Sequence, residues 1–313
     1  MLNKILAFYT KYFAIWVVIF GVIAYQWDEY FTPLRPGMDY FFALTMFGIG
    51  AVLTVEDFKQ IAEKPWIVLI GSAAQFTIMP LGAFAVARLL HLSPMVTVGL
   101  VLTGSAPGAM ASNVMCYVGK ADTAYSVSLT TVSTLLCPIL TPALTYVLAR
   151  STMDVPVLKM MIHVSLVVIL PLLLGFAVRH ILGKRIECIL PLFPAISVTF
   201  IIFICSLVIA LNKSRLGNIT VAVVAAVLIL NLYGMSAGYG AAALFRMQTR
   251  RRRTLSIEIG MQNAGLGANL ALAHFGAAAA LPAAIFVFTC IITASIMATL
   301  WQRADARPST KSP

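Results

Sequence analysis

Charge is scarce in this chain, and negative charge is scarcer still. Only 11% of the 313 residues are Asp, Glu, Lys or Arg, and just 11 residues are acidic. Soluble domains carry about 25% charged residues. No polar stretch is long enough to fold as a soluble domain, which excludes an appended catalytic module. Cysteine is also sparse. Cys116, Cys137, Cys188, Cys205 and Cys290 are scattered, without a CxxC pair or a histidine at ligand spacing. They read as buried free thiols and support neither a disulfide framework nor a zinc site. HExxH, paired carboxylates and a nucleophile–base pair are all missing, which argues against an intramembrane enzyme.

What is present is apolar. Hydrophobic residues make up 60% of the chain, the composition of an all-α polytopic membrane protein with a single membrane domain. Hydropathy gives ten candidate spans, roughly residues 12–27, 37–55, 66–89, 95–119, 122–149, 157–178, 190–211, 217–245, 254–276 and 279–301. The run from Phe13 to Tyr25 ends in Asp28 and Glu29 without a small-residue cleavage site, so it is expected to be a span and not a signal peptide. With the N-terminus inside, 16 of the 22 Lys and Arg residues fall on inner segments and six on outer loops. That bias predicts ten helices with both termini cytoplasmic, in a plasma (inner) membrane. The net charge of +11 and the run Arg250 to Arg253 could be taken for a nucleic-acid patch. The run reads instead as an orientation anchor on the anionic leaflet, and no nucleic-acid partner is expected. Residues 304–313 are expected to be a short cytoplasmic tail, disordered from Arg303 onward.

The ten spans divide near residues 150–155 into repeats of about 1–150 and 151–303. Five is odd, so the second half enters the membrane inverted, as in inverted-repeat transporters. Span four contains Ser-Ala-Pro-Gly-Ala-Met-Ala-Ser-Asn at 105–113, and span nine contains Gly-Met-Gln-Asn-Ala-Gly-Leu-Gly-Ala-Asn at 260–269. Each half thus carries a Gly-rich, Asn-bearing interruption in its fourth helix. Pro107 removes a backbone donor and Gly108 tolerates the geometry that follows. A broken helix exposes N–H and C=O groups that lipid cannot satisfy, so it must be buried in protein or line a wet cavity. Paired breaks in corresponding helices point to a site at mid-membrane.

Between Glu187 and Asp305 the only acid is Glu258, two residues before the second interruption. A carboxylate at hydrocarbon depth costs at least ~3 kcal/mol, which makes it a functional candidate by default. Gln262, Asn263 and Asn269 follow among three glycines. Oxygen ligands beside permissive backbone suit a hard monovalent cation better than covalent chemistry.

Pro-Gly-x-x-Ala-Ser-Asn-Val-Met at 107–115 and Glu-Ile-Gly-Met-Gln-Asn at 258–263 resemble the bile acid:sodium symporter family. The Met-Phe-Gly-Ile-Gly turn at 46–50 and the Gln-Phe-Thr-Ile-Met-Pro segment at 75–80 extend the resemblance over essentially the whole chain. The resemblance implies a panel of spans 1, 2, 6 and 7 and a core of spans 3–5 and 8–10, with broken helices 4 and 9 crossing at the centre. It also implies two sodium ions. One would be held by Ser112, Asn113, Ser126, Thr130 and Glu258. The other would be held by Gln75, Glu258, Gln262 and the carbonyls of Ile259 and Met261. An organic anion would lie near Gly108, Met110, Ala111, Asn263 and Asn231. Residue physics is compatible with this: Ser126 and Thr130 are i, i+4 and share a helix face.

The chain also departs from the family pattern. Met110 stands where sodium-dependent relatives often have Thr, and Ile291-Ile292-Thr293 replaces a Trp-His-Asn cluster found in some relatives. Both changes bear on the substrate and leave the implied sodium ligands intact. No Lys or Arg falls inside a span near the breaks, so an anion would rest on half-helix N-termini. His163 and His274 read as satisfied structural imidazoles. Asn231 either bridges helices or lines the cavity. A proton-coupled carrier using Glu258 is the alternative to sodium coupling, and a channel fits paired broken helices less well.

Overall fold

The computed structural model describes residues 6, 8–10, 12–63, 65–187, 189–214 and 216–306. Cys188, Lys4, Lys11, Lys64, Arg215 and the tail beyond Ala306 lie outside the described residues. Among the described residues the chain is helical, with no strand. In order, α1 is Phe13–Gln26, α2 Met38–Val52, α3 Val55–Glu63, α4 Pro65–Leu89, α5 Pro94–Gly104, α6 Ala111–Val118 and α7 Thr123–Ala149. Then come α8 Val157–Leu182, with a π-helical turn at Ser165–Ile169, α9 Leu192–Leu211 and α10 Leu216–Leu244. The last three are α11 Thr249–Gly260, α12 Ala264–His274 and α13 Ala277–Ala306.

Six of these (α4, α7, α8, α9, α10 and α13) are long and apolar enough to cross a membrane, which makes this a multi-pass membrane protein. A seventh span is reached if the stretch through α2 and the adjoining α3, bent by 78°, count as one. The two expected interruptions are real. Span four is divided into α5 and α6, and span nine into α11 and α12. At ~1.5 Å per residue each piece reaches only about halfway across a ~30 Å hydrocarbon core.

One expectation fails. The chain is not disordered from Arg303, because α13 continues to Ala306. Its last turn is fastened by a two-pronged contact in which Arg253 donates to both carboxylate oxygens of Asp305 at 2.7 Å.

Packing is closest within two groups of neighbours, although α8 also touches α7, and α9 also touches α12 and α13. Helix α1 lies along α9, and α2 packs on both α8 and α9. Phe42 of α2 meets Phe200 of α9 with ring centroids 5.0 Å apart. The second set joins α4 to α5, α7 and α10, α10 to α11, and α13 to α5 and α12. In lipid the driving force is close packing more than water exclusion, so small residues decide how near two backbones come. Gly50 of α2 faces the Leu172 carbonyl of α8, and Gly175 of α8 faces the Phe47 carbonyl of α2. A Cβ on either glycine would collide with the opposing backbone. The Gly-Ile-Gly motif at 48–50 is therefore a helix–helix contact.

Candidate functional site

The site is assembled by a register between α7 and α11. Asp122 caps α7, its side chain accepting from Tyr125 N at 3.1 Å. Its backbone N–H donates to Thr254 Oγ1 of α11 at 2.9 Å. From that pin, Ser126 and Thr130 follow at i+4 and i+8 on α7, and Glu258 follows at i+4 on α11. The spacing that stacks side chains on one helix face thus brings both hydroxyls to one carboxylate.

Glu258 is 2% exposed. Ser112 Oγ and Ser126 Oγ donate to its Oε1, and Thr130 Oγ1 donates to Oε2 at 3.0 Å. Each hydroxyl also has a second acceptor. Ser112 lies 2.6 Å from the Ala109 carbonyl, Ser126 2.8 Å from Asn113 Oδ1, and Thr130 3.1 Å from the Ser126 carbonyl. A hydroxyl has one proton, so three donors face twice as many acceptor contacts. Among the described residues no Lys, Arg or His side chain is paired with this carboxylate. The pocket is rich in oxygen and short of positive charge, a donor set that fits a hard cation.

The two interruptions meet beside this carboxylate. Ala109 N donates to the Met261 carbonyl at 2.9 Å, and Asn263 N donates to the Pro107 carbonyl at 2.7 Å. This pair of bonds makes an isolated antiparallel bridge between Gly108 and Gln262. Helix-breaking backbone groups find each other instead of lipid, as they must at membrane depth. Gly108 leaves room for the carboxylate, since a Cβ would lie 2.7 Å from Glu258 Oε2 and press on it. Its N–H reaches Ser133 Oγ at 3.3 Å.

Around the bridge is a second polar group. Gln75 Nε2 donates to Gln262 Oε1 at 2.7 Å, and Gln262 Nε2 donates to the Ile259 carbonyl at 2.8 Å. Gln75 is 4% exposed, and its Oε1 has no partner among the described residues. A buried amide oxygen left this way is costly, about 1–3 kcal/mol, unless a ligand completes it. No hydrogen bond joins this group to Glu258 among the described residues, and the Met261 carbonyl already accepts from Ala109.

The residues implied for an anion are dispersed around the crossing. Met110, half-buried, receives a weak contact from Asn113 Nδ2 at 3.9 Å, and Ala111 is exposed. Asn263 caps α12 by accepting from Leu266 N at 3.1 Å, which occupies part of that half-helix terminus. The α6 terminus has no side-chain cap. Asn231 is fully buried and donates to the Gly260 carbonyl at 2.7 Å, so it bridges α10 to the break, while its Oδ1 has no partner among the described residues.

Sequence reasoning missed Ser133 and the Asp122–Thr254 pin, although the i, i+4, i+8 series from Asp122 carried the signal. It also missed a second carboxylate cluster. His163 of α8 and His274 of α12 are 2.9 Å apart, and His163 Nε2 is 3.1 Å from Asp39 Oδ1 at the start of α2. Asn269 of α12 donates to the same Asp39 oxygen at 2.9 Å, turned away from the ligand role its motif invites. The two imidazoles share a hydrogen bond, but His163 Nε2, although 3.1 Å from Asp39 Oδ1, completes no hydrogen bond among the described residues, so the expected satisfied imidazoles are met only in part.

Fold and site together define a multi-pass helical membrane protein with a buried carboxylate at the meeting of two interrupted helices. The chain belongs to the sodium bile acid symporter family, whose model matches residues 40–219. It is 37% identical over 303 residues to the uncharacterized sodium-dependent transporter YocS of Bacillus subtilis, covering 97% of this chain and 94% of that one. To the probable sodium/metabolite cotransporter BASS1, chloroplastic, of Arabidopsis thaliana it is 33% identical over 294 residues, covering 93% and 73%. To sodium/bile acid cotransporter 4 of Rattus norvegicus it is 28% identical over 250 residues, covering 77% and 56%. These relatives are named as transporters and cotransporters, not enzymes, and the family implies sodium as the coupling ion.

Proposed function

We propose that this protein couples the entry of two sodium ions to symport of an organic anion by alternating access. The observation that carries this reading is the oxygen excess around Glu258, three hydroxyl protons shared among twice as many acceptor contacts at the meeting of two broken helices. One sodium would be held by Ser112, Asn113, Ser126, Thr130 and Glu258. The second would complete Gln75 Oε1 together with Gln262 and the carbonyls of Ile259 and Met261. Glu258 is the counter-charge that both ions share through their proximity.

Ten spans in two inverted halves, with α1, α2, α8 and α9 as a panel moving against the remainder, fit the packing of the helices. The excess of Lys and Arg on inner segments supports cytoplasmic termini in a plasma membrane. Sodium binding would order the crossing and present the uncapped α6 terminus to a carboxylate, which links ion occupancy to anion affinity. Two cations with one monoanion carry one net charge, worth about 2.3 kcal/mol per 100 mV. Tenfold sodium gradients add ~1.4 kcal/mol per ion, so accumulation on the order of a thousandfold is accessible.

The substrate is a bile acid or a small carboxylate such as pantoate. A thermal-shift screen of purified protein across bile acids and short hydroxy- and keto-acids, with and without sodium, identifies it. The expected result is a sodium-dependent shift for one class only. Equal shifts in sodium and choline would sink the coupling. Proton coupling is the second reading, favoured by the burial of Glu258 among hydroxyls alone. Uptake at fixed pH with choline replacing sodium separates the two.

A further inference from the structure

Away from the crossing, a cavity of about 710 Å³ opens where the α6–α7 turn, the start of α11 and the end of α13 converge. Its walls include Tyr117, Lys120, Thr249, Arg250, Arg253 and Asp305. Three positive side chains there face one carboxylate. That carboxylate is already committed, since Asp305 takes both prongs of Arg253 at 2.7 Å.

The four-arginine run is divided in its duties. Arg251 pairs with Asp122 at 3.2 Å, and Arg252 Nε donates to the Met247 carbonyl at 2.7 Å. Arg253, besides Asp305, lies over the Trp301 ring at 5.5 Å. Arg250 alone has no such partner among the described residues and lines the cavity. Lys120 lines the same cavity. It holds a left-handed backbone with φ of 51°, a conformation that favours glycine or asparagine. Among the wall residues, Tyr117 and Val118 are exposed apolar side chains, 77% and 37% accessible. A basic cavity at the ends of membrane helices, with exposed apolar side chains in its wall, matches the chemistry of an anionic headgroup with its acyl chains.

We infer that this cavity binds a phosphate-bearing anion, with Lys120 and Arg250 as its counter-charges, separately from the sodium and substrate site. Two sources share that chemistry: the phosphodiester of an anionic lipid and a free phosphate ester. Native mass spectrometry and thermal shift in neutral detergent distinguish them, using phosphatidylglycerol, phosphatidylcholine of the same chains, and glycerol phosphate. Phosphatidylglycerol is expected to be retained at least tenfold over phosphatidylcholine. Arg250→Gln and Lys120→Gly should each reduce that preference to within about twofold, while the sodium-induced shift is unchanged. The glycine variant relieves the left-handed backbone, so it keeps the fold while removing the ammonium. Binding of glycerol phosphate, lost in the same variants, would assign the site to a soluble ester. Its failure to bind beside retained phosphatidylglycerol would assign the site to lipid. Equal retention of both lipids with no glycerol phosphate bound, or a preference that survives both variants, overturns the inference.

Discussion

Two carboxylates lie where helices of different packing sets or broken halves meet, and they are supported in opposite ways. Asp39 is flanked by an imidazole and an amide, and its side chain is 44% accessible. It carries its own potential counter-charge and has water to fall back on. Glu258 is 2% exposed and is held by hydroxyls alone. Burying a carboxylate without a cation costs several kcal/mol, and hydroxyl dipoles offset only part of it. A self-compensated acid can serve as structure, whereas an acid lacking a partner requires one from solution. The contrast supports the proposal that the same residue chemistry is architectural at one place and an ion site at the other.

The contrast breaks most directly at Glu258. Glu258→Gln should abolish sodium-induced stabilisation and lower sodium affinity at least a hundredfold, about 2.7 kcal/mol. Circular dichroism should still report a folded helical protein, and a retained sodium response in this variant contradicts the assignment. Gly108→Ala comes next, because its methyl would lie 2.7 Å from Glu258 Oε2 and push the carboxylate off its hydroxyls. A loss of tenfold or more in sodium affinity is expected by isothermal titration. Thr130→Val and Gln75→Leu each remove one oxygen and should weaken sodium binding severalfold. If the two groups are separate ion sites, Gln75→Leu should also lower the Hill slope of sodium-dependent uptake.

Asp39→Asn sharpens the comparison from the other side. It should reduce thermal stability by about 1–3 kcal/mol through the lost charged contact to His163, with the sodium midpoint unmoved. A sodium midpoint displaced as far as in Glu258→Gln would erase the distinction drawn between the clusters. The smallest effect is expected for Met110→Thr, which should change which anion gives a sodium-dependent shift while moving the sodium midpoint less than twofold.

Much of the architecture was legible in the sequence because membrane spans are written in composition. The two interruptions announced themselves through Pro107, Gly108 and the glycines after Glu258, and Glu258 stood out as an acid in an apolar stretch. The gathering of Ser126, Thr130 and Glu258 was implied by the family resemblance, while periodicity alone put only Ser126 and Thr130 on one helix face. What stayed hidden depended on pairings between distant segments. Nothing local in Asn269 indicates that it faces Asp39 and not Glu258, and nothing in Gln75 indicates that its nitrogen is used while its oxygen is left over. The helical end of α13 was hidden for the same reason, since its order comes from Arg253, some fifty positions earlier in the chain.

The two broken helices are fastened by peptide groups, Ala109 to Met261 and Asn263 to Pro107. Outside Gly108, the bonds of that clasp do not run through side chains. Under the proposed function, a residue such as Met110 can therefore change with the cargo without loosening the scaffold around the proposed ion sites. Specificity and energy supply become separable traits, and one lineage can diversify its diet while leaving its motor alone.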